Sequence, residues 1–340
     1  MNIVQTISAY RSHLMGIAML AIMLFHQSWI WGKELFYVPF VFFHVYGNWG
    51  VDIFFFVSGF GLYFSLKKND SPCSFFVRRL IRLFPLCIAC GLLRYIVDHI
   101  LPVGVGGYPT GNHEISTNWV TILSWDKWFI TVILVYYLLM PFLYRRINRY
   151  GKSLLWGVYF LWAFSFILMT YDLMPSFVFY DYVMRFPSFC LGAIIASGCV
   201  IYSKPRLFLG IIPIVFAMIY KFLMMSGIIE DGSVRDSFNF LLLSFGITPV
   251  CFLLSKIFSK FDDNSTGIFI LEGLKYLGKH SLELYLIHEF VYRYIYRFLI
   301  ETSLPLFIQM LIGIVASVLF AINISFVVNR CVNFFLVSKY

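Results

Sequence analysis

Apolar runs long enough to cross a membrane recur along the whole chain, and they leave few folds open to it. A helix needs about 20 predominantly apolar residues to span the hydrocarbon core of a bilayer. Segments of roughly that length lie at 14–31, 49–66, 82–101, 128–144, 154–170, 186–203, 207–226, 238–255, 280–299 and 306–329. The sequence therefore predicts an all-α, polytopic membrane protein of about ten transmembrane helices. We expect residues 1–340 to form a single domain.

The overall balance of residues excludes a soluble protein. Hydrophobic residues make up 60% of the 340 positions and charged residues only 13%, and the mean hydropathy is +0.82. The net charge of +9 does not indicate a nucleic-acid partner, because the basic residues form short clusters between the apolar runs. Most of these clusters fall on the side that carries the N-terminus. By the positive-inside rule both termini are predicted to be cytoplasmic. We expect membrane lipids to surround the apolar helices.

One ionisable side chain, that of His26, lies inside the first apolar run between Leu14 and Ile30. An ionisable group within a membrane span is costly to keep, which favours a functional role. Arg11 precedes it on nearly the same helix face, ~22 Å away along the axis. Imidazole titrates near neutral pH, so His26 is a candidate general base. The alternative is a histidine that is hydrogen-bonded within the bundle and only structural.

Five stretches resemble, in order, the motifs of the acyltransferase-3 family of membrane proteins, which acylate surface sugars. They are LMGIAMLAIMLFH (Leu14–His26), GVDIFFFVSGFGLY (Gly50–Tyr63), FFVRRLIRLFP (Phe75–Pro85), WFITVILVYYLLMP (Trp128–Pro141) and LGKHSLELYLIHEF (Leu277–Phe290). The matches cover most of the chain. Each motif alone is degenerate, whereas the ordered set is fairly specific.

The resemblance implies a membrane O-acyltransferase, in the first instance an O-acetyltransferase, in the cell membrane. Its donor would be cytosolic acyl-CoA, with acetyl-CoA the first choice, and its acceptor a hydroxyl of an exported glycan or a lipid-linked sugar. Acyl-CoA would be a substrate, so no permanently bound cofactor and no metal are expected. The sequence does not identify a protein partner.

The resemblance also implies roles for particular residues. His26 and Asp52 are the candidate catalytic residues, where Asp52 either orients His26 or interacts with the dipole at the end of its own helix. The donor phosphates would bind to cytoplasmic arginines, or these arginines only fix the topology. The candidates are Arg11, Arg78, Arg79 and Arg82.

Residues near the predicted outer surface are candidates for binding the acceptor. Asp126 and Trp128 lie at the outer mouth of the fourth helix, although a tryptophan there is also typical of an interfacial belt. His288 lies in the late motif and has a structural role as its alternative. We predict all three as substrate-binding residues.

The chain departs from the family pattern at two places. The family commonly has an arginine ten residues before the histidine of the first helix, where Met15 stands here. Arg11, one turn earlier, is the natural substitute. Many members also carry a glutamate in the fourth helix, where Ile133 or Leu134 stands. These departures weaken any inference about the substrate rather than about the reaction class.

Two other functions fit a chain of this size. A transporter or flippase of lipid-linked sugars would explain buried charges without catalysis. It predicts internal repeats or paired broken helices, which we do not find in the sequence. A polysaccharide polymerase would favour a large outer loop, and the loop at 102–127 is modest.

Overall fold

A computed structural model describes residues 2–31, 41–100, 128–200, 207, 209–228, 233–262, 264–299 and 301–337. Across these residues the chain forms helices and turns and no strand, which confirms the predicted all-α class. The α-helices are α1 (Ile3–Ala9), α2 (Arg11–Trp31), α3 (Val41–Tyr46), α4 (Gly50–Lys68), α5 (Pro72–Ile100), α6 (Trp128–Tyr150), α7 (Leu154–Thr170), α8 (Phe186–Ala196), α9 (Ile212–Met225), α10 (Ser233–Phe261), α11 (Ser265–Lys279), α12 (Ser281–Leu299) and α13 (Leu306–Val337).

Six helical stretches of the described chain are long and apolar enough to cross a membrane, or seven if the bent pair α1 and α2 forms one span. This supports a multi-pass membrane protein. Two of the predicted runs fall within the single stretch Trp128–Thr170, which contains α6 and α7. The run at 280–299 forms α12, which is too rich in charged residues to count among the six. The number ten and the cytoplasmic termini stay predictions.

The helices group into two compact units whose segments alternate along the chain. The first unit contains Met1–Ala18, Asn48–Phe75 and Val132–Gly278. The second unit contains Met19–Gly47, Phe76–Thr131 and Lys279–Tyr340. Each is described on its own below.

Reciprocal glycines bring helices of the first unit into close contact. A Cβ atom at Gly59 of α4 would lie 2.0 Å from the carbonyl oxygen of Phe189 in α8. Conversely, a Cβ atom at Gly192 of α8 would lie 1.9 Å from the carbonyl oxygen of Phe56 in α4. The two backbones therefore touch at a point where only glycine fits, as is common where membrane helices cross.

The same device joins α2 to α11 in the first unit. A Cβ atom at Gly16 would lie 1.9 Å from the carbonyl oxygen of Leu274, and one at Gly278 would lie 1.8 Å from that of Ser12. Both glycines belong to the stretches that carry the family resemblance. The close packing of α2 against α11 therefore explains why a glycine stands at each of these two positions.

The second unit is built around α12 and α13, which pack along each other. The C-terminal half of α2 is fixed to α13 by Gln27, whose Nε2 donates a hydrogen bond of 2.9 Å to the carbonyl oxygen of Met310. Gln27 is fully buried. Because it follows His26 directly, this bond holds the backbone of α2 in place at the histidine.

Candidate active site

Two histidines and a glutamate meet in the second unit, where α2 and α12 face each other. Nδ1 of His26 lies 2.9 Å from Nε2 of His288. Nε2 of His26 lies 3.2 Å from Oε1 of Glu289. His288 is buried, whereas the side chains of His26 and Glu289 are 24% and 26% exposed. We call these three residues the His–His–Glu cluster.

The backbone of α12 fixes the orientation of His288. Its Nδ1 lies 2.8 Å from the carbonyl oxygen of Leu284 and 3.0 Å from that of Tyr285. A carbonyl oxygen only accepts hydrogen bonds, so Nδ1 of His288 carries a hydrogen. Nε2 of His288 therefore points toward His26 and is set up to share a proton with it.

A count of protons shows what the His–His–Glu cluster can do. The chain of contacts runs from a backbone carbonyl through His288 and His26 to Glu289, and each of its three gaps needs one hydrogen. Two neutral imidazoles supply two N–H groups. If a hydrogen bridges each of the three gaps, the cluster holds one proton more than two neutral histidines and a carboxylate. His26 therefore has a contact partner at each ring nitrogen through which a proton could be exchanged.

Aromatic rings lead from this cluster to Trp128, the first residue of α6. The ring of Tyr285 lies 6.0 Å from that of His288 and 4.7 Å from that of Phe129. Phe129 in turn lies 6.2 Å from Trp128. Trp128 is thus connected to His288 through a series of ring contacts that passes through Phe129 and Tyr285. Asp126, the other predicted acceptor residue of this stretch, lies outside the described residues.

A basic cavity of about 420 Å³ lies between α5, α12 and α13 of the second unit. Its polar lining combines cations, a carboxylate and neutral groups. These residues are Arg78, Arg82, Lys279, His280, Glu283, Ser325 and Asn329. Two of the predicted donor-binding arginines, Arg78 and Arg82, are therefore brought together on one face of α5. Arg79, the third in this stretch, does not line the cavity.

Glu283 is the acidic residue in the wall of the basic cavity. Its Oε1 accepts a hydrogen bond of 3.0 Å from Ser325 Oγ, and its Oε2 has no hydrogen-bond partner among the described residues. Glu283 and His288 both belong to α12, five residues or about 7.5 Å apart along the helix axis. One helix therefore carries part of the cavity wall and part of the His–His–Glu cluster.

Asp52 lies in the first unit, where it forms a buried ion pair. Its Oδ2 accepts a hydrogen bond of 2.6 Å from Arg185 Nη1, and its Oδ1 accepts one of 2.8 Å from Ser188 Oγ. Arg185 also donates to the carbonyl oxygen of Asn48 at 3.1 Å and stacks its guanidinium over Phe240. Asp52 is fully buried. These contacts give it a packing role between α4 and α8, and its catalytic role stays a prediction.

Arg11 begins α2 and belongs to the first unit. Its guanidinium lies over Gly61 of α4, since a Cβ atom at Gly61 would stand 2.9 Å from Arg11 Nη1. Arg11 itself is exposed. Its proposed contact with the donor phosphates stays a prediction.

The sequence motifs assign no site role to two of these residues, Glu289 and Arg185. Glu289 follows His288 directly, and a motif that highlights the histidine alone hides its neighbour. Arg185 stands at the start of α8, and a carboxylate such as Asp52 inside a span requires a partner. That requirement is the signal that leads to Arg185.

A polytopic helical membrane protein with a histidine–carboxylate cluster beside a basic cavity is thus the class that fold and site define. Residues 13–328 match the family model of the acyltransferase-3 acyltransferase domain. The chain belongs to this family of membrane acyltransferases. Neither a curated protein nor a solved structure matches it.

Proposed function

We propose that the protein is an O-acyltransferase of the cell membrane that moves an acyl group from cytosolic acyl-CoA to a sugar hydroxyl. The acyl group is acetyl in the first instance, and the acceptor is an exported glycan or a lipid-linked sugar. The observation that carries the proposal is the His–His–Glu cluster, because it offers a partly exposed imidazole with a fixed partner in a chain of an acyltransferase family.

In this proposal His26 is the general base. The acceptor hydroxyl approaches the exposed edge of His26, beside Glu289, and its proton passes to Nε2 once that nitrogen is free of a hydrogen. The sugar oxygen forms a new bond to the thioester carbonyl carbon, and the bond from that carbon to sulfur breaks. The proton held by His26 then passes to the departing CoA thiolate. His288 acts as a positioning residue, because backbone carbonyls fix its own ring and its Nε2 in turn contacts Nδ1 of His26.

The basic cavity is the proposed site of the donor phosphates. Arginine binds phosphate through paired N–H donors, and Arg78 and Arg82 stand one helical turn apart in the cavity wall. Lys279 adds a third cation. These residues belong to the clusters that the positive-inside rule assigns to the cytoplasm, where acyl-CoA is made available. The cavity wall at Glu283 and His288 are only about 7.5 Å apart along α12, so a pantetheine arm that starts in this cavity is long enough to place its thioester beside His26.

The acceptor would enter from the opposite side of the membrane. Trp128 begins α6 and is joined through Phe129 and Tyr285 to the ring of His288. Flat aromatic faces bind the apolar faces of sugar rings, so this series is a suitable path for a glycan. Asp126, two residues before Trp128, would supply a hydrogen-bond acceptor for sugar hydroxyls.

The test is transfer of label from radioactive acetyl-CoA to the glycan and lipid fractions of membranes that contain the full-length protein. Replacement of His26 by alanine should lower the rate by roughly 10²-fold or more, the usual contribution of a general base. His13→Ala is the matched control, because His13 lies on the same helix but in the first unit. Acylation at the wild-type rate by His26→Ala at normal protein levels would refute the proposal.

A further inference from the structure

The contact between His26 and Glu289 raises an electrostatic problem that a cation solves. If each histidine is neutral and His26 donates to His288, then Nε2 of His26 presents a lone pair to the Glu289 carboxylate at 3.2 Å. Two acceptors at this distance repel each other. A positive species between or beside them removes the repulsion, and a proton is one such species. A metal ion is another.

We propose that His26, His288 and Glu289 form a binding site for a divalent metal of the Zn²⁺ type. One ligand atom from each residue can be chosen so that all three lie within 4.8 Å of one another. In a tetrahedral zinc site with bonds of about 2.0–2.1 Å, neighbouring ligand atoms stand about 3.3 Å apart. The contacts of 2.9 and 3.2 Å use different nitrogens of His26. A metal bound to one of these nitrogens therefore requires side-chain rotations that bring the three ligand atoms from within 4.8 Å to about 3.3 Å of one another.

The donor set selects the metal. Two imidazole nitrogens and one carboxylate oxygen form the His₂Glu combination that holds zinc with a fourth position open to water or substrate. Calcium and magnesium favour sites built from oxygen ligands alone. The three residues should therefore bind Zn²⁺ or Co²⁺ in preference to Mg²⁺.

His288 already has the surroundings of a metal ligand. Metal-binding histidines almost always donate their second ring N–H to a carbonyl or carboxylate oxygen, which fixes the ring and leaves the other nitrogen free to coordinate. In α12 the carbonyl oxygens of Leu284 and Tyr285 are these acceptors, because both lie within hydrogen-bond distance of Nδ1 of His288. Nε2 of His288 is thus the coordinating nitrogen. A metal reaches it past the partly exposed side chains of His26 and Glu289.

The consequence for activity rests on the proposed function. A bound zinc ion occupies the His26 nitrogen that the acceptor proton would need, so it inhibits acyl transfer. The metal is then a reversible inhibitor rather than a resident cofactor. Metal binding itself does not depend on this step, and it is measured separately.

The direct test measures uptake of Zn²⁺ and the visible spectrum of Co²⁺ with the full-length protein, purified in detergent and stripped of metal. We expect one ion per chain and a tetrahedral Co²⁺ absorption. His288→Ala and Glu289→Gln should each weaken binding at least about tenfold, and His13→Ala should leave it unchanged. Absence of uptake, or uptake undiminished in both variants, would overturn the site.

A second measurement separates this inference from the proposed function. Zn²⁺ should inhibit label transfer from acetyl-CoA by the wild-type protein, and a chelator should restore it. If zinc binds through His288 and Glu289 while transfer continues at full rate, the metal site stands and His26 is not the base. If zinc neither binds nor inhibits while His26→Ala still abolishes transfer, the metal site falls and the proposed function stands.

Discussion

The buried ion pair of the first unit supports a prediction that stability measurements can decide. Asp52 is fully buried and is held by Arg185 at 2.6 Å and Ser188 at 2.8 Å. Replacement of Arg185 by methionine keeps much of the side-chain volume but removes the countercharge. The carboxylate of Asp52 would then remain buried with the serine as its partner.

The expected cost is large. Removal of one partner from a buried ion pair typically destabilises a protein by about 3–5 kcal/mol, because the other charge is left without compensation. This corresponds to a change of roughly two to three and a half powers of ten in the unfolding equilibrium constant. Simultaneous replacement of both charges, as in Asp52→Leu with Arg185→Met, should recover most of the loss, since an apolar pair of similar volume is often neutral.

An exposed ion pair of the same unit provides the matched control. Lys275 and Glu272 lie 2.8 Å apart on α11 with side chains 53% and 64% exposed. Glu272→Gln should change the free energy of unfolding by less than about 1 kcal/mol, since surface pairs contribute little. Unfolding can be followed by the thermal reactivity of thiols with a maleimide dye, because Cys190 and Cys251 of this unit are buried.

The outcome also decides what Asp52 does. A double variant that folds well and still transfers acyl groups would assign Asp52 to packing alone. A double variant that folds well but is inactive would support the catalytic role predicted from the motif. The stability argument itself is refuted if Arg185→Met unfolds at the wild-type midpoint, or if the double variant is no more stable than the single one.

Two further predictions concern the basic cavity and the helix crossing. Arg78→Gln should raise the KM for acyl-CoA several-fold in a labelled-donor assay, because Arg78 lines the cavity. Arg79→Gln should raise it less, because Arg79 does not line the cavity. Equal effects of the two variants would contradict the assignment of the cavity as the donor site. Gly59→Ala should lower the free energy of unfolding by about 1–3 kcal/mol, because its Cβ meets a carbonyl oxygen. Gly157→Ala is the control and should not lower it, because its Cβ meets open space. Thermal unfolding in detergent compares the two variants, and a Gly59→Ala variant as stable as the wild type would disprove the close contact.

The predictions from the sequence succeeded where local pattern decides structure. Apolar runs of spanning length give helices whatever their neighbours, so the all-α class and the membrane character followed from length and hydropathy alone. His26 and His288 each stood out through a motif. The spacing of Arg78 and Arg82 is also a local feature, since residues four apart share a helix face and Arg79 lies about 100° away.

The predictions stopped where distant segments meet. Nothing in the hydropathy of α2 or α12 indicates that His26 lies against His288, because a pairing across more than 260 positions depends on the packing of whole helices. Asp52 and Arg185 show the same limit, since they lie 133 positions apart in the sequence and no local pattern links them. Their pairing becomes visible only when α4 and α8 are brought together through Gly59.

The measurement that most directly tests His26 as the base is chemical rescue. Acetyl transfer from labelled acetyl-CoA is measured in proteoliposomes that contain wild-type protein or His26→Ala, with and without imidazole in the medium. We expect the alanine variant to lose roughly 10²-fold or more of its rate and to regain part of it as imidazole is added, while the wild-type rate stays unchanged. Transfer by the alanine variant at the wild-type rate without imidazole would contradict the assignment of His26 as the base.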